Sequence, residues 1–167
     1  MKPEYYICWY RLDGKDRYLL WFEDEKDGVF VDSHGFVPAF DSVMKLLGFA
    51  EESNIAVDVE NPKCFELDIV QYWLSDRESG KIDCNPFLDT WNLLEDLSRS
   101  TGGKFDSEKE LTKKIYNKIF WGCNLSSVTP EGKSYTPVWT GKELKIIRKV
   151  LKFGLEMFRE KVKLQSE

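Results

Sequence analysis

Apolar residues crowd the first forty positions in short, dense runs. Tyr5-Tyr6-Ile7-Cys8-Trp9-Tyr10-Arg11-Leu12 and Arg17-Tyr18-Leu19-Leu20-Trp21-Phe22 are separated by Asp13-Gly14-Lys15-Asp16, and Glu23-Asp24-Glu25-Lys26-Asp27-Gly28 leads into Val29-Phe30-Val31. Aromatic and β-branched runs bounded by turn residues are strand signals. Asp-Gly suits a tight hairpin because glycine takes positive φ without a Cβ clash. The pattern predicts an antiparallel meander with strands over 5–12, 17–23 and 28–32. The first two runs are apolar at consecutive positions, which implies a sheet covered on both faces or a central place within it.

Ser33-His34-Gly35 reads as a turn, and Phe36-Val37 as a strand segment. Pro38 is expected to end that segment because it cannot donate to a ladder. Asp41 is placed to cap a short helix over 42–48, with Val43, Leu46 and Leu47 inward and Gly48 closing it. Ile55 to Val59 alternates like a further strand.

Helical spacing dominates from there on. Asn61-Pro62 and Asn85-Pro86 each set a capping side chain before a proline. Proline is tolerated at a first helical position, where its missing N–H would have had no partner. The spacing predicts helices over 62–75, with Phe65, Ile69, Tyr72 and Trp73 on one stripe, and over 86–99, with Phe87, Trp91, Leu94 and Leu97 inward. Ser75 to Lys81 is a polar loop, and Thr101-Gly102-Gly103-Lys104 joins two helices. Capping boxes at Ser107/Glu110 and Thr140/Glu143 open two more. The first carries Leu111, Ile115 and Ile119 inward; the second carries Leu144, Ile147, Leu151, Leu155, Phe158 and Val162. Between them, 125–128 and 134–139 read as a small hairpin or exposed loop around Thr129 to Lys133. The fold expected is α+β: a single domain, residues 1–167, with an N-terminal meander packed by four to five helices.

Composition adds charge asymmetry. Residues 1–103 hold ten Lys or Arg against twenty-one Asp or Glu, a net of −11, and residues 104–167 a net of +6. An acidic sheet-containing half thus precedes a basic helical half, which can attract partners of opposite sign at opposite ends. No run has the length of a membrane span. Met1-Lys2-Pro3-Glu4 leads straight into strand sequence without a signal-peptide pattern, so a cytoplasmic protein with no membrane partner is expected. The four cysteines, Cys8, Cys64, Cys84 and Cys123, form no close pair, and there is one histidine. Buried free thiols are expected rather than a metal site.

Catalytic signatures are missing. His34 stands in a turn without an assignable partner, and a pocket gathering it with two carboxylates would be needed to revive an enzyme reading. Thr101-Gly102-Gly103-Lys104 lacks the spacing of a phosphate loop and no strand precedes it. The acids from Glu23 to Asp27 lack the pattern of a calcium loop. No enzyme activity, cofactor or metal is expected. The acidic residues Asp13, Asp16, Glu23, Asp24, Glu25, Asp27 and Asp32 are instead the candidate contacts for a basic partner, because charge on short connections steers a cationic surface. The rival surface is the last helix, with Lys142, Lys145, Arg148, Lys149, Lys152, Arg159, Lys161 and Lys163. It would suit an adaptor or nucleic-acid-binding module, although its broad apolar face is needed for the core and its cations read as a solvated face, so nucleic acid is the less favoured partner.

With its aromatic-rich opening from Tyr5 to Phe22, its acidic Glu23-Asp24-Glu25-Lys26-Asp27-Gly28 connection and no catalytic residues, the chain resembles the immunity proteins of bacterial toxin systems, in particular those of contact-dependent growth inhibition. The resemblance implies a non-enzymatic inhibitor that binds a cognate toxin C-terminal domain, often a nuclease, and blocks its active site or a neighbouring surface. It also implies that a toxin hairpin can be accepted by strand addition to the sheet.

Overall fold

The structure, a computed structural model, describes residues 3–76, 80–105 and 109–166. The opening runs form β1 (Glu4–Leu12) and β2 (Lys15–Glu23), paired antiparallel from Leu12↔Lys15 at the turn to Glu4↔Glu23 at the far end. Asp13 and Gly14 take φ of 57° and 71°, so both central turn residues are left-handed, as a tight hairpin of native twist requires. The third strand, β3 (Gly28–Val29), is shorter than the 28–32 expected; it pairs antiparallel with Trp21 and Phe22, which completes the meander.

Pro38 does not end its strand. It lies inside β4 (Val37–Phe40), which pairs antiparallel with β2 through Tyr18↔Phe40 and Leu19↔Ala39. Continuing that register would set Leu20 against Pro38, which has no N–H to give. The Leu20 carbonyl accepts from Phe30 N at 2.9 Å instead. The missing donor thus hands the ladder over from β4 to the residues after β3.

The first helix, α1 (Val43–Glu52), is capped by the Ser42 hydroxyl, which accepts from Lys45 N at 3.1 Å. Asp41 pairs with Lys45 rather than capping. Gly48 lies within the helix, which runs on to Glu52 because Phe49 and Ala50 complete the face packed on the sheet. The strand expected at 55–59 reduces to β5 (Val57–Asp58), parallel to β1 beside Tyr5 and Tyr6.

Asn61-Pro62 starts no helix. Cys64–Glu66 form β6, parallel to β1 beside Trp9 to Arg11, and α2 (Leu67–Ser75) follows. The free edge of β1 captures a segment that helical spacing would have wound up. The buried positions of α2 are Leu67, Val70 and Trp73, while Ile69 and Tyr72 of the expected stripe are exposed. The next helix, α3 (Cys84–Thr101), begins two residues before Pro86, with Asp83 rather than Asn85 at its N-cap position and no side-chain cap bond there, and ends at Gly102 with φ of 71°. The helix α4 (Glu110–Gly122) buries Ile115 and Ile119; the capping box expected at Ser107 lies outside the described residues, as does part of the loop from Ser75 to Lys81. Of the small hairpin or exposed loop expected here, the structure shows the loop, with no strand over 125–139. Its ends are tied by Asn124, which donates to the Tyr135 carbonyl and accepts from Tyr135 N. That side chain supplies the pairing a hairpin would have made. Thr140 and Glu143 form the expected capping box of α5 (Gly141–Lys161), but Val162 leaves the helix to start β7 (Val162–Leu164), parallel to β4. The basic half therefore contributes a strand to the sheet.

The protein is an α+β domain with, among the described residues, one seven-stranded sheet, ordered β5-β1-β2-β4-β7, with β6 also on β1 and β3 also on β2. Both faces are covered, as the consecutive apolar residues required. Cys8, Tyr10, Leu12 and Leu19 meet the helices α2 to α5 around the fully buried Trp91. Ile7 and Leu20 face the other way, with Phe40, onto Leu46 and Ala50 of α1. Among the described residues no helix is long and apolar enough to cross a membrane.

Candidate functional site

The seven candidate acids do not share one surface. The β1–β2 hairpin separates them, since its nine-residue strands span roughly 25 Å at 3.3 Å per residue. At the turn end, the backbone N–H groups of Asp13 and Gly14 donate to the Asp68 carboxylate at 2.6 and 2.8 Å. The Asp13 carboxylate accepts from Arg159 at 2.7 and 3.0 Å and from Gln71 at 3.0 Å, contacts that hold its carboxyl down at about 2. Asp16 takes a fork from Arg11, which also reaches Glu66 at 2.8 Å, and its carboxyl is likewise lowered, first by that hydrogen bond. Asp32 organises its own turn, accepting from His34 N at 2.8 Å and Phe36 N at 3.0 Å. These three carboxylates are occupied within the chain, and His34 is an exposed turn residue.

Glu23, Asp24, Glu25 and Asp27 gather at the other end of β2, all exposed. Asp24 accepts from Glu25 N at 2.8 Å, which shapes the connection locally. Its far end is anchored to α3: Arg99 donates to the Asp27 carbonyl at 2.6 Å, and Ser100 Oγ accepts from Val29 N at 2.9 Å. Gly28 is required here. A Cβ on it would come within 2.5 Å of both the Phe22 ring and Ser100 Oγ. The connection and α3 enclose a polar cleft of about 620 Å³ that brings Glu25 and Asp27 together with Glu95, Asp96, Asn92, Arg99 and Tyr116. Burial pushes the Asp96 carboxyl up to about 6, and the charges of Asp27 and Glu95 add to that, against the pull of Arg99.

Beside the cleft, register sets Glu4 opposite Glu23, Tyr6 opposite Trp21 and Asp58 next to Tyr6. The Tyr6 and Trp21 rings stack at 4.9 Å and 27°. The Tyr6 hydroxyl donates to Glu4 at 2.6 Å; that bond, with the charges of Glu23, Glu4 and Asp58, raises its phenol to about 12. An aromatic pair ringed by carboxylates offers a cationic side chain both a ring face and opposite charge.

Glu4, Tyr6, Trp21, Asp58, Glu95 and Asp96 were not among the sequence candidates. The first three were within reach: a two-residue turn at Asp13-Gly14 fixes the register and so pairs Glu4 with Glu23 and Tyr6 with Trp21. No local signal marks the others.

On the rival surface, three of the eight cations have internal work with the described residues. Arg148 donates to the carbonyls of Trp73, Leu74 and Asp76 at the end of α2 and lies 4.2 Å over the Trp73 ring. Arg159 holds Asp13, and Lys163 lies over the Phe36 ring.

No protein-family model matches the chain, and no curated protein matches it. Among solved structures, the C-terminal domain of SatS, crystallised in complex with bromine, is similar over 96% of this chain and 94% of that one, with a TM-score of 0.57 and 14% identity. The likeness shows the α+β fold alone.

Proposed function

We propose that the protein is a non-enzymatic immunity protein that binds and neutralises a basic toxin domain, with a nuclease as the expected class, through the acidic end of its sheet. The observation that carries this reading is the convergence of Glu4, Glu23, Asp24, Glu25 and Asp27 around the stacked Tyr6 and Trp21 and the cleft of Glu95 and Asp96. Long-range attraction between this face and a cationic nucleic-acid cleft speeds encounter, and the aromatic pair supplies the desolvated contact that slows release. Asp13, Asp16 and Asp32 lie apart from this end, and their carboxylates also serve the fold.

Capture of co-purifying protein from the native host tests the reading, with a stoichiometric toxin domain as the expected product. Reversing Glu23, Asp24, Glu25 and Asp27 to Lys should then slow association by about tenfold or more at low salt and abolish its acceleration by salt dilution. A reversed protein that associates at the wild-type rate would place the interface elsewhere. The competing reading, nucleic-acid binding through α5, predicts salt-dependent retention of the intact protein on DNA or RNA. Retention there without any protein partner would displace the immunity reading.

A further inference from the structure

Away from the acidic end, the start of α4 and the middle of α5 border a second cleft, of about 670 Å³, that the proposed function does not use. Its volume lies within the roughly 300–1,000 Å³ of small-ligand sites. The walls are apolar: Phe105, Leu111, Ile146, Val150 and Phe153. Phe153 is 48% exposed, although it belongs to a helix whose other large apolar side chains are mostly covered. Behind the wall, Gly154 leaves room for the Phe105 ring. A Cβ there would lie 2.9 Å from the Phe105 ring, which instead sinks toward α5 and meets Trp91 edge-on at 5.7 Å. Lys104 and Lys149 also line the cleft, and neither has an acidic partner among the described residues.

Apolar walls with edge cations that have no acidic partner among the described residues select for a ligand that is long, apolar and anionic at one end. A neutral hydrophobe would draw nothing from the lysines at the edge; a nucleic acid would leave the aliphatic walls unfilled. We propose that this cleft binds a single-chain amphiphilic carboxylate, the acyl chain on Phe105, Ile146, Val150 and Phe153 and the carboxylate on Lys104 and Lys149.

Titration of the intact protein with dodecanoate below its micellar concentration, followed by calorimetry, tests this. Saturable one-to-one binding is expected, with dodecanol and dodecyltrimethylammonium each weaker by about tenfold or more. Lys104→Glu with Lys149→Glu, and separately Phe153→Asp, should each weaken dodecanoate by a similar factor. All three positions line the cleft at the surface, so an unchanged melting temperature is expected to accompany the loss. The proposal is overturned if dodecanoate does not saturate, if the cationic amphiphile binds as tightly, or if the lysine reversals leave affinity unchanged. Cosedimentation with phosphatidylglycerol vesicles in the absence of monomeric dodecanoate binding would also overturn it, and would assign the lysines to a membrane surface.

Discussion

Arg159 grips Asp13 with both terminal guanidinium nitrogens, at 2.7 and 3.0 Å, across 146 residues of sequence. The contact pins the tip of the first hairpin to the last turns of α5, and Gln71 of α2 joins both partners. An aspartate that reads in the sequence as a candidate partner contact is also a tie between the two ends of the chain.

Replacing Arg159 with Ala should cost about 1 kcal/mol, the upper end for an exposed pair, because the fork is two-pronged. The pH dependence follows from Asp13, whose carboxyl lies at about 2 instead of 3.8. A lowered folded value gives a contribution that is complete above the unfolded value and lost as pH falls through the folded one. The advantage of wild type over Asp13→Asn should therefore be full above about pH 4 and fade toward pH 2. Urea unfolding along that series checks it; an advantage undiminished at the acid end would show that the side chain acts by packing instead.

Asp96 works in the opposite sense. Its raised value of about 6 means that folding takes up a proton, so its contribution is favourable below the unfolded value and is lost as pH rises through 6. Asp96→Asn, which can still accept from Arg99, should stabilise the protein by about 1 kcal/mol at pH 7.5 and have little effect at pH 4. A cationic partner on the acidic face would lower that carboxyl again. Partner affinity should accordingly rise between pH 5 and pH 7 in wild type and lose that dependence in Asp96→Asn, as titration calorimetry at several pH values would reveal.

The start of α5 carries a polar knot. Thr140 Oγ1 accepts from Glu143 N at 3.1 Å, Glu143 accepts from Thr140 N at 3.0 Å, and Lys118 of α4 reaches the Glu143 carboxylate at 2.9 Å. Lys118 also donates to the Val138 carbonyl, so the knot holds the loop before the helix. Thr140→Ala should cost about 1 kcal/mol through the lost cap. Glu143→Ala should cost about 2–3 kcal/mol, because it strands a half-buried lysine as well. Equal losses in thermal unfolding would mean that the Lys118 pair contributes nothing.

Gly154 sits where α5 crosses α3. A methyl there would lie 2.5 Å from Leu94 Cδ1 and 2.9 Å from the Phe105 ring. Alanine gains about 1 kcal/mol of helix propensity, but crowding a packed core costs about 1–3 kcal/mol. Both neighbours are buried, so Gly154→Ala should be destabilising by about 1 kcal/mol in chemical denaturation, and a stabilised variant would show that the core has slack there.

Much of the candidate site was legible. The turn at Asp13-Gly14 sets the register that brings Glu4 to Glu23 and Tyr6 to Trp21, and charge density marks Glu23 to Asp27. Glu95 and Asp96 were not, because they arrive on α3 from seventy residues away and carry no pattern beyond an ordinary solvated face. Nor did the sequence separate the acids at the site from Asp13, Asp16 and Asp32. A carboxylate of the candidate site and one held by Arg159, Arg11 or backbone N–H groups look the same in one dimension.

The sequence by itself determined the elements whose hydrogen bonds close locally. These are the hairpin of β1 and β2, whose turn residues accept left-handed φ, and α5, whose cap, core stripe and start lie within a few residues of one another. Tertiary structure decided the elements that complete another strand's edge. Cys64 to Glu66 follows a helix-starting pattern yet becomes β6 on β1, and Val162 continues a helical stripe yet becomes β7 on β4. The physical reason is common to both: the unpaired N–H and C=O groups of a sheet edge need partners, and a three-residue segment has too little helix propensity of its own to refuse them.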